Sequence, residues 1–210
     1  SAPFVRTAFT GNLYILEQVG QGMSCLVYRT RDSSNREFAL KKVPKSILAN
    51  KAIYDGFVNQ IRIMLDADHP HILRLYEVIE GEDFLGLVTD FCESGDLERY
   101  MQGYGEGLSE AEAFFWMAQI ASGLKYMQGR KIIHRDLKLA NVFLKGRTAI
   151  IGDFGLSAYG VSTASSVLGT TLFIAPEMLD EPKGGYTNKC DLWSAGVCFF
   201  YLLYGRVPFQ

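Results

Sequence analysis

Three short runs open the chain, Leu13–Val19, Leu26–Thr30 and Phe38–Val43, in which apolar residues alternate with polar ones or stand together. Glycine-rich and Asp-Ser-Ser-Asn stretches separate them, and this combination of apolar spacing with turn chemistry predicts three antiparallel strands. From Ser46 to Leu65 the period changes. Ile47, Ile53, Phe57, Ile61, Met64 and Leu65 recur at helical spacing until His69-Pro70 closes the run, which predicts one helix. Ile72–Ile79 and Phe84–Phe91 return to strand character around Gly81-Glu82-Asp83, so a five-stranded antiparallel sheet with one helix is expected here.

Glu93-Ser94-Gly95-Asp96 breaks the pattern, and beyond it the chain is mostly helical. Ser109 and Glu112 have capping-box spacing ahead of Ala113, Met117, Ile120, Leu124 and Met127, the apolar face of a long helix. Short strands at Val142–Leu144 and Ala149–Ile151 bracket a loop, and a second apolar helix is expected over Asp191–Tyr204. The pattern divides the chain into a smaller lobe over residues 1–91 and a larger one over 92–210, in an α+β fold.

Composition narrows the function. With 21 Lys+Arg against 23 Asp+Glu, the formal charge of −2 offers no basic field for nucleic acid or anionic lipid. The longest apolar stretch, Ala195–Tyr204, is far short of the roughly 20 residues that span a bilayer. A soluble, cytoplasmic chain with no nucleic-acid or membrane partner is expected. Cys25, Cys92, Cys190 and Cys198 lack paired spacing, which favours reduced thiols over a zinc site or disulfides. His69-Pro70-His71 reads as a turn with a packed imidazole.

Gly20-Gln21-Gly22-Met23-Ser24-Cys25 is a glycine-rich turn of the kind that lets backbone N–H groups approach phosphate oxygens. A dinucleotide fold would follow it with a helix. Here Leu26-Val27-Tyr28-Arg29-Thr30 is β-rich, so the turn joins two strands. Downstream stand His134-Arg135-Asp136-Leu137-Lys138-Leu139-Ala140-Asn141, then Asp153-Phe154-Gly155, Gly169-Thr170 and Ala175-Pro176-Glu177. Together with Phe38-Ala39-Leu40-Lys41 and Asp191-Leu192-Trp193-Ser194-Ala195-Gly196, they resemble the eukaryotic serine/threonine protein kinases in motif, order and spacing.

That resemblance implies a bilobal kinase fold that uses ATP and Mg²⁺ to phosphorylate Ser/Thr hydroxyls of a protein substrate. Gly20 and Gly22 would cover the phosphates, Lys41 would hold them, and Asn141 and Asp153 would ligate Mg²⁺. Asp136 would be the catalytic base, with Lys138 steadying the transferring phosphoryl group. Val27, Ala39 and Phe143 would sandwich adenine. Thr89 would be the gatekeeper before Asp90 and Cys92 of the hinge, and Asp96 would reach the ribose or a basic substrate residue. Met64, Phe154 and His134 would stack. Arg135 would pair with a phosphate on Ser166, added by an upstream kinase or by a second copy in trans.

Two departures stand out. Gln60 occupies the position of the helix glutamate that pairs with the strand lysine, turning an ion pair into a neutral contact and predicting reduced or partner-dependent activity. The alternative is a pseudokinase, a nucleotide-responsive scaffold; Lys41, Asp136, Asn141 and Asp153 argue against it. The resemblance also implies further helices after Gln210, so the larger lobe is expected to be incomplete. Asp68-His69-Pro70-His71-Ile72-Leu73 and Gly95-Asp96-Leu97-Glu98-Arg99-Tyr100 look like the polo-like kinases, particularly their centriole-duplication branch. The calcium/calmodulin-type kinases are the second choice. The polo-like likeness implies a link to the cytoskeleton or centriole.

Overall fold

The computed structural model describes residues 4–9, 11–22, 25–159, 171–179 and 187–209. It divides into two compact units, Ser1–Ala67 with Leu73–Cys92, and Asp68–Ile72 with Glu93–Gln210.

The first unit is built on a six-stranded sheet: β1 (Phe4–Thr7), β2 (Gly11–Gln21), β3 (Leu26–Arg31), β4 (Glu37–Pro44), β5 (Leu75–Glu80) and β6 (Phe84–Asp90). Its order is β1-β2-β3-β4-β6-β5. The five expected strands pair antiparallel, and β1 adds another at the edge beside β2. Side chains alternate across the pleat, so Phe38, Leu40 and Val88 meet Leu13 and Ile79 in a buried cluster on one face, with Tyr28, Tyr76 and Phe84 packed against it.

The single helix expected over 46–65 is broken in two, α1 (Lys45–Leu48) and α2 (Lys51–Leu65). The break has a local cause. Asn50 leaves helical geometry, and its side chain accepts from the N–H groups of Ala52 and Ile53 at 3.0 and 3.3 Å. It is thus the N-cap of α2. Phe57, Gln60, Ile63 and Met64 form the buried face of α2, which packs against β5.

The second unit holds α3 (Leu97–Met101), α4 (Glu110–Gly129), β7 (Ile132–Ile133), the hairpin β8 (Val142–Lys145) and β9 (Thr148–Ile151), β10 (Ala158–Tyr159) and α5 (Lys189–Tyr204). Ser109 caps α4, its hydroxyl accepting from Glu112 N–H at 3.3 Å. The Glu112 carboxylate does not complete the box. It is taken by Arg147 and the Tyr100 hydroxyl, both at 3.1 Å. α4 packs on β7, β9 and α5, and Gly205 stops α5 in the left-handed conformation at φ +63°.

Candidate active site

In the first unit, register decides which side chains can cooperate. Val27 lies opposite Lys41, Lys41 opposite Leu87, and Ala39 opposite Thr89. These five residues therefore share the sheet face turned away from the Phe38–Leu40 cluster. Gly20 pairs with Val27, and its missing side chain would meet the Val27 Cβ at 3.5 Å. Gly22 N–H donates to Cys25 carbonyl at 2.9 Å. A side chain on Gly22 would come within 3.0 Å of the Cys25 sulfur. Thr89 is buried and donates its hydroxyl to the Asp90 carbonyl at 3.3 Å. Cys92 ends the unit half-buried, and Gln60 is 4% exposed.

In the second unit, the β8–β9 hairpin does the gathering. Val142 pairs with Ile151, so Asn141 and Gly152 emerge side by side, tied by the Gly152 N–H to Asn141 carbonyl bond at 2.9 Å. Asp153 follows at once, in left-handed backbone geometry (φ 57°, ψ 69°), a conformation that costs a non-glycine residue about 1–3 kcal/mol. The Asn141 NH₂ donates twice to Asp136, to its carbonyl at 2.7 Å and to Oδ2 at 3.1 Å. Lys138 Nζ reaches the same Oδ2 at 3.2 Å. Two residues that are near in sequence but of different chemistry thus converge on one carboxylate oxygen.

The loop before Asp136 is pinned from below. Asp191 is 3% exposed, and its two oxygens accept the backbone N–H groups of His134 and Arg135 at 2.8 and 2.9 Å. Burial pushes the Asp191 carboxyl up, against the downward pull of His134, Arg135 and those two N–H groups. The His134 ring is fully buried, bonds Gly152 carbonyl through Nε2 at 2.9 Å and packs on Phe154 at 5.3 Å between centroids. Arg135 also has a left-handed backbone, φ 70°. Its guanidinium donates to the carbonyls of Leu156 and Ser157, while the Ser157 hydroxyl returns to His134 carbonyl at 3.2 Å.

Asp136, Lys138, Asn141 and Asp153 are thus brought together within one unit. Phe143 is half-buried on β8, opposite Ile150 and bridged to Asp96. Asp96 itself caps α3, accepting Arg99 N–H at 2.8 Å. Ser166, Gly169 and Thr170 lie outside the described residues. Asp191 and Ser157 were not singled out from the sequence as site residues; only the motif around Asp191 hinted at a role, and its partners are more than 50 residues away. Among the described residues no group of three or more His, Cys, Asp or Glu side chains converges on a metal position. A two-ligand Mg²⁺ site completed by phosphates and water needs none. No helix among the described residues is long and apolar enough to cross a membrane.

Residues 13–210 match the protein kinase domain family. The chain is 37% identical over 207 residues to the serine/threonine-protein kinase ATG1a of Arabidopsis thaliana, covering 95% of this chain and 32% of that protein. It is 34% identical over 197 residues to the serine/threonine-protein kinase PLK1 of Xenopus laevis, covering 91% and 32%. The cell cycle serine/threonine-protein kinase CDC5/MSD2 of Saccharomyces cerevisiae is 32% identical over 196 residues, covering 91% and 28%. The chain spans about a third of the length of these curated relatives. The polo-like resemblance is accordingly found, beside an ATG1 likeness the motifs had not suggested. With the motifs, their placement and the family match in agreement, the chain belongs to the protein kinase domain family.

Proposed function

We propose that this chain is the catalytic part of a serine/threonine protein kinase, transferring the γ-phosphoryl group of ATP to a Ser or Thr hydroxyl of a protein. The observation that carries the proposal is the convergence of Lys138 and Asn141 on the Asp136 carboxylate at 3.2 and 3.1 Å. Asp136 accepts the proton as the substrate oxygen bonds to phosphorus, the bond from phosphorus to the β,γ-bridging oxygen breaks, and ADP leaves. Lys138 balances charge on the transferring group, and Lys41 holds the remaining phosphates beneath Gly20 and Gly22.

Asn141 and Asp153 fit a hard cation. The Asn141 NH₂ is committed to Asp136, which leaves its carbonyl oxygen as the ligand atom, and Asp153 adds a carboxylate. Mg²⁺ held there would neutralise phosphate charge. Val27, Ala39, Thr89, Phe143 and the Asp90–Cys92 backbone would hold adenine, and Asp96 the ribose. A phosphate on Ser166, placed by another kinase or a second copy, would recruit Arg135. A cytoplasmic site of action, at the cytoskeleton or centriole, belongs to the same proposal and rests on the polo-like resemblance of the sequence motifs.

The buried Gln60 favours a second reading, a scaffold that binds nucleotide without transferring phosphate. Radiolabelled ATP with a generic protein substrate separates the two. Wild type is expected to label serine and threonine, and Asp153→Asn to fall at least about a hundredfold. Equal labelling by both proteins would refute the assignment of Asp153, and nucleotide binding without any labelling would favour the scaffold.

A further inference from the structure

β5 pairs with β6 through a register break: Leu75 opposes Thr89, but Glu77 opposes Val88. Tyr76 is the extra residue between them, a β-bulge, and bulges re-aim side chains. The bulge delivers Tyr76 to two partners. Its hydroxyl donates to Asp90 Oδ1 at 3.0 Å, and its ring stacks on Phe9, centroids 5.2 Å apart and planes 28° apart. It also meets the edge of Phe38 at 5.2 Å.

Phe9 follows β1 and precedes the residues matched by the kinase family. It is held independently by the Glu77 carboxylate, which accepts the N–H groups of Ala8 and Phe9 at 2.7 and 3.1 Å. Arg36 lies over both Phe9 and Phe38, 5.8 Å from each centroid. On the other side, Asp90 N–H donates to Arg74 carbonyl at 3.3 Å, and the Arg74 guanidinium covers Tyr76 at 5.4 Å. Packed rings and hydrogen bonds therefore run without a gap from the segment after β1 to the end of β6. Burial and the neighbouring Asp90 push the Tyr76 hydroxyl's titration up, which keeps it a donor at neutral pH.

We infer that Tyr76, clamped between the Phe9 ring and the Asp90 carboxylate, is a positioning residue for the strand end that receives adenine, so that the N-terminal segment sets nucleotide affinity. This rests on the proposal that Asp90 and Cys92 contact the base. The contiguous network supplies the route by which a change at Phe9 reaches Asp90.

The test uses purified wild type, Tyr76→Phe, Phe9→Ala, their double variant and Phe9→Tyr. Tyr76→Phe keeps the ring and its stacking and loses one hydroxyl, so it is expected to fold. Dissociation constants for ADP and Mg-ATP should both rise about threefold to tenfold, since the change lies at the base and not at the phosphates. Turnover at saturating ATP should stay within about twofold. Phe9→Ala should act in the same direction, the double variant should fall short of the product of the two effects, and Phe9→Tyr should bind as wild type does. A lowered denaturation midpoint with unchanged ADP affinity in Tyr76→Phe would mean a structural role only and would overturn the inference alone. Wild type that binds neither nucleotide would overturn the adenine assignment and this inference with it.

Discussion

Asp191→Ala removes a buried carboxylate that is not among the proposed catalytic groups, yet it should disturb the site more than most substitutions outside it. Asp191 is 3% exposed and accepts the backbone N–H groups of His134 and Arg135 at 2.8 and 2.9 Å. Alanine leaves both donors without their acceptor, at about 1–3 kcal/mol each, or about 2–6 kcal/mol together. Burial of the carboxyl opposes its charge, and removing that charge returns part of the cost, which places the expected loss at about 2–4 kcal/mol. That is below the 5–15 kcal/mol typical of a folded domain, so the variant should fold. Arg135, held at φ 70°, should relax once its N–H is released, and Asp136 would shift with it.

The assay is native-state hydrogen exchange, because two compact units need not unfold as one. Exchange at the His134 and Arg135 amides should accelerate about 30-fold or more, with slower phosphoryl transfer. Wild-type protection at both amides in Asp191→Ala would refute the reasoning, since the bonds would then contribute nothing to holding the loop.

Gln60→Glu should raise turnover about 5- to 30-fold, because the family resemblance places this position as the partner of Lys41 and a charge-assisted bond there would exceed a neutral one by about 1–2 kcal/mol. An unchanged rate in uniformly phosphorylated enzyme would reject it. Asp32 supplies a pH signature. Burial pushes its carboxyl up, but the N–H groups of Arg36 and Ser34 and the Arg36 guanidinium, at 2.9, 2.8 and 2.8 Å, outweigh that and hold it below the ordinary value. A carboxyl lowered by folding contributes stability above its unfolded value and loses it as pH falls through the folded one. Asp32→Asn should therefore be less stable than wild type at neutral pH, with denaturation midpoints that converge below about pH 4; a gap that does not depend on pH would count against this.

Much of the site was legible because its residues are local. Asp136, Lys138 and Asn141 lie within one short loop, and the two apolar runs around Gly146 announce the hairpin that carries Asp153 back to them. The five longer strands were legible for the same reason, each having enough apolar residues to show its period. What escaped did so for different reasons. β1 is four residues long and earns its place by pairing with β2. The helix break at Asn50 was hidden because apolar spacing continues across it, although Asn is a good N-cap. Glu112 fits a capping box in sequence, but Arg147, 35 residues on, competes for its carboxylate.

The bulge at Tyr76 is the sharpest case. In an unbroken strand, residues three apart point to opposite faces. Ile79 lies in the Phe38–Leu40 cluster, so strict alternation would send Tyr76 to the other face, with Lys41 and Thr89. Instead Tyr76 packs against the same cluster as Ile79, which only an inserted residue allows. Leu-Tyr-Glu-Val-Ile-Glu contains no glycine or proline to mark that insertion. The parity is broken by the way β6 pairs with β5, a property of two strands and not of either sequence alone. The same parity break gives Tyr76 access to Phe9 on the cluster face and, through its hydroxyl, to Asp90 at the strand end. Restoring regular pairing would turn its ring away from Phe38 and Phe9 and remove the link between the N-terminal segment and the proposed adenine site.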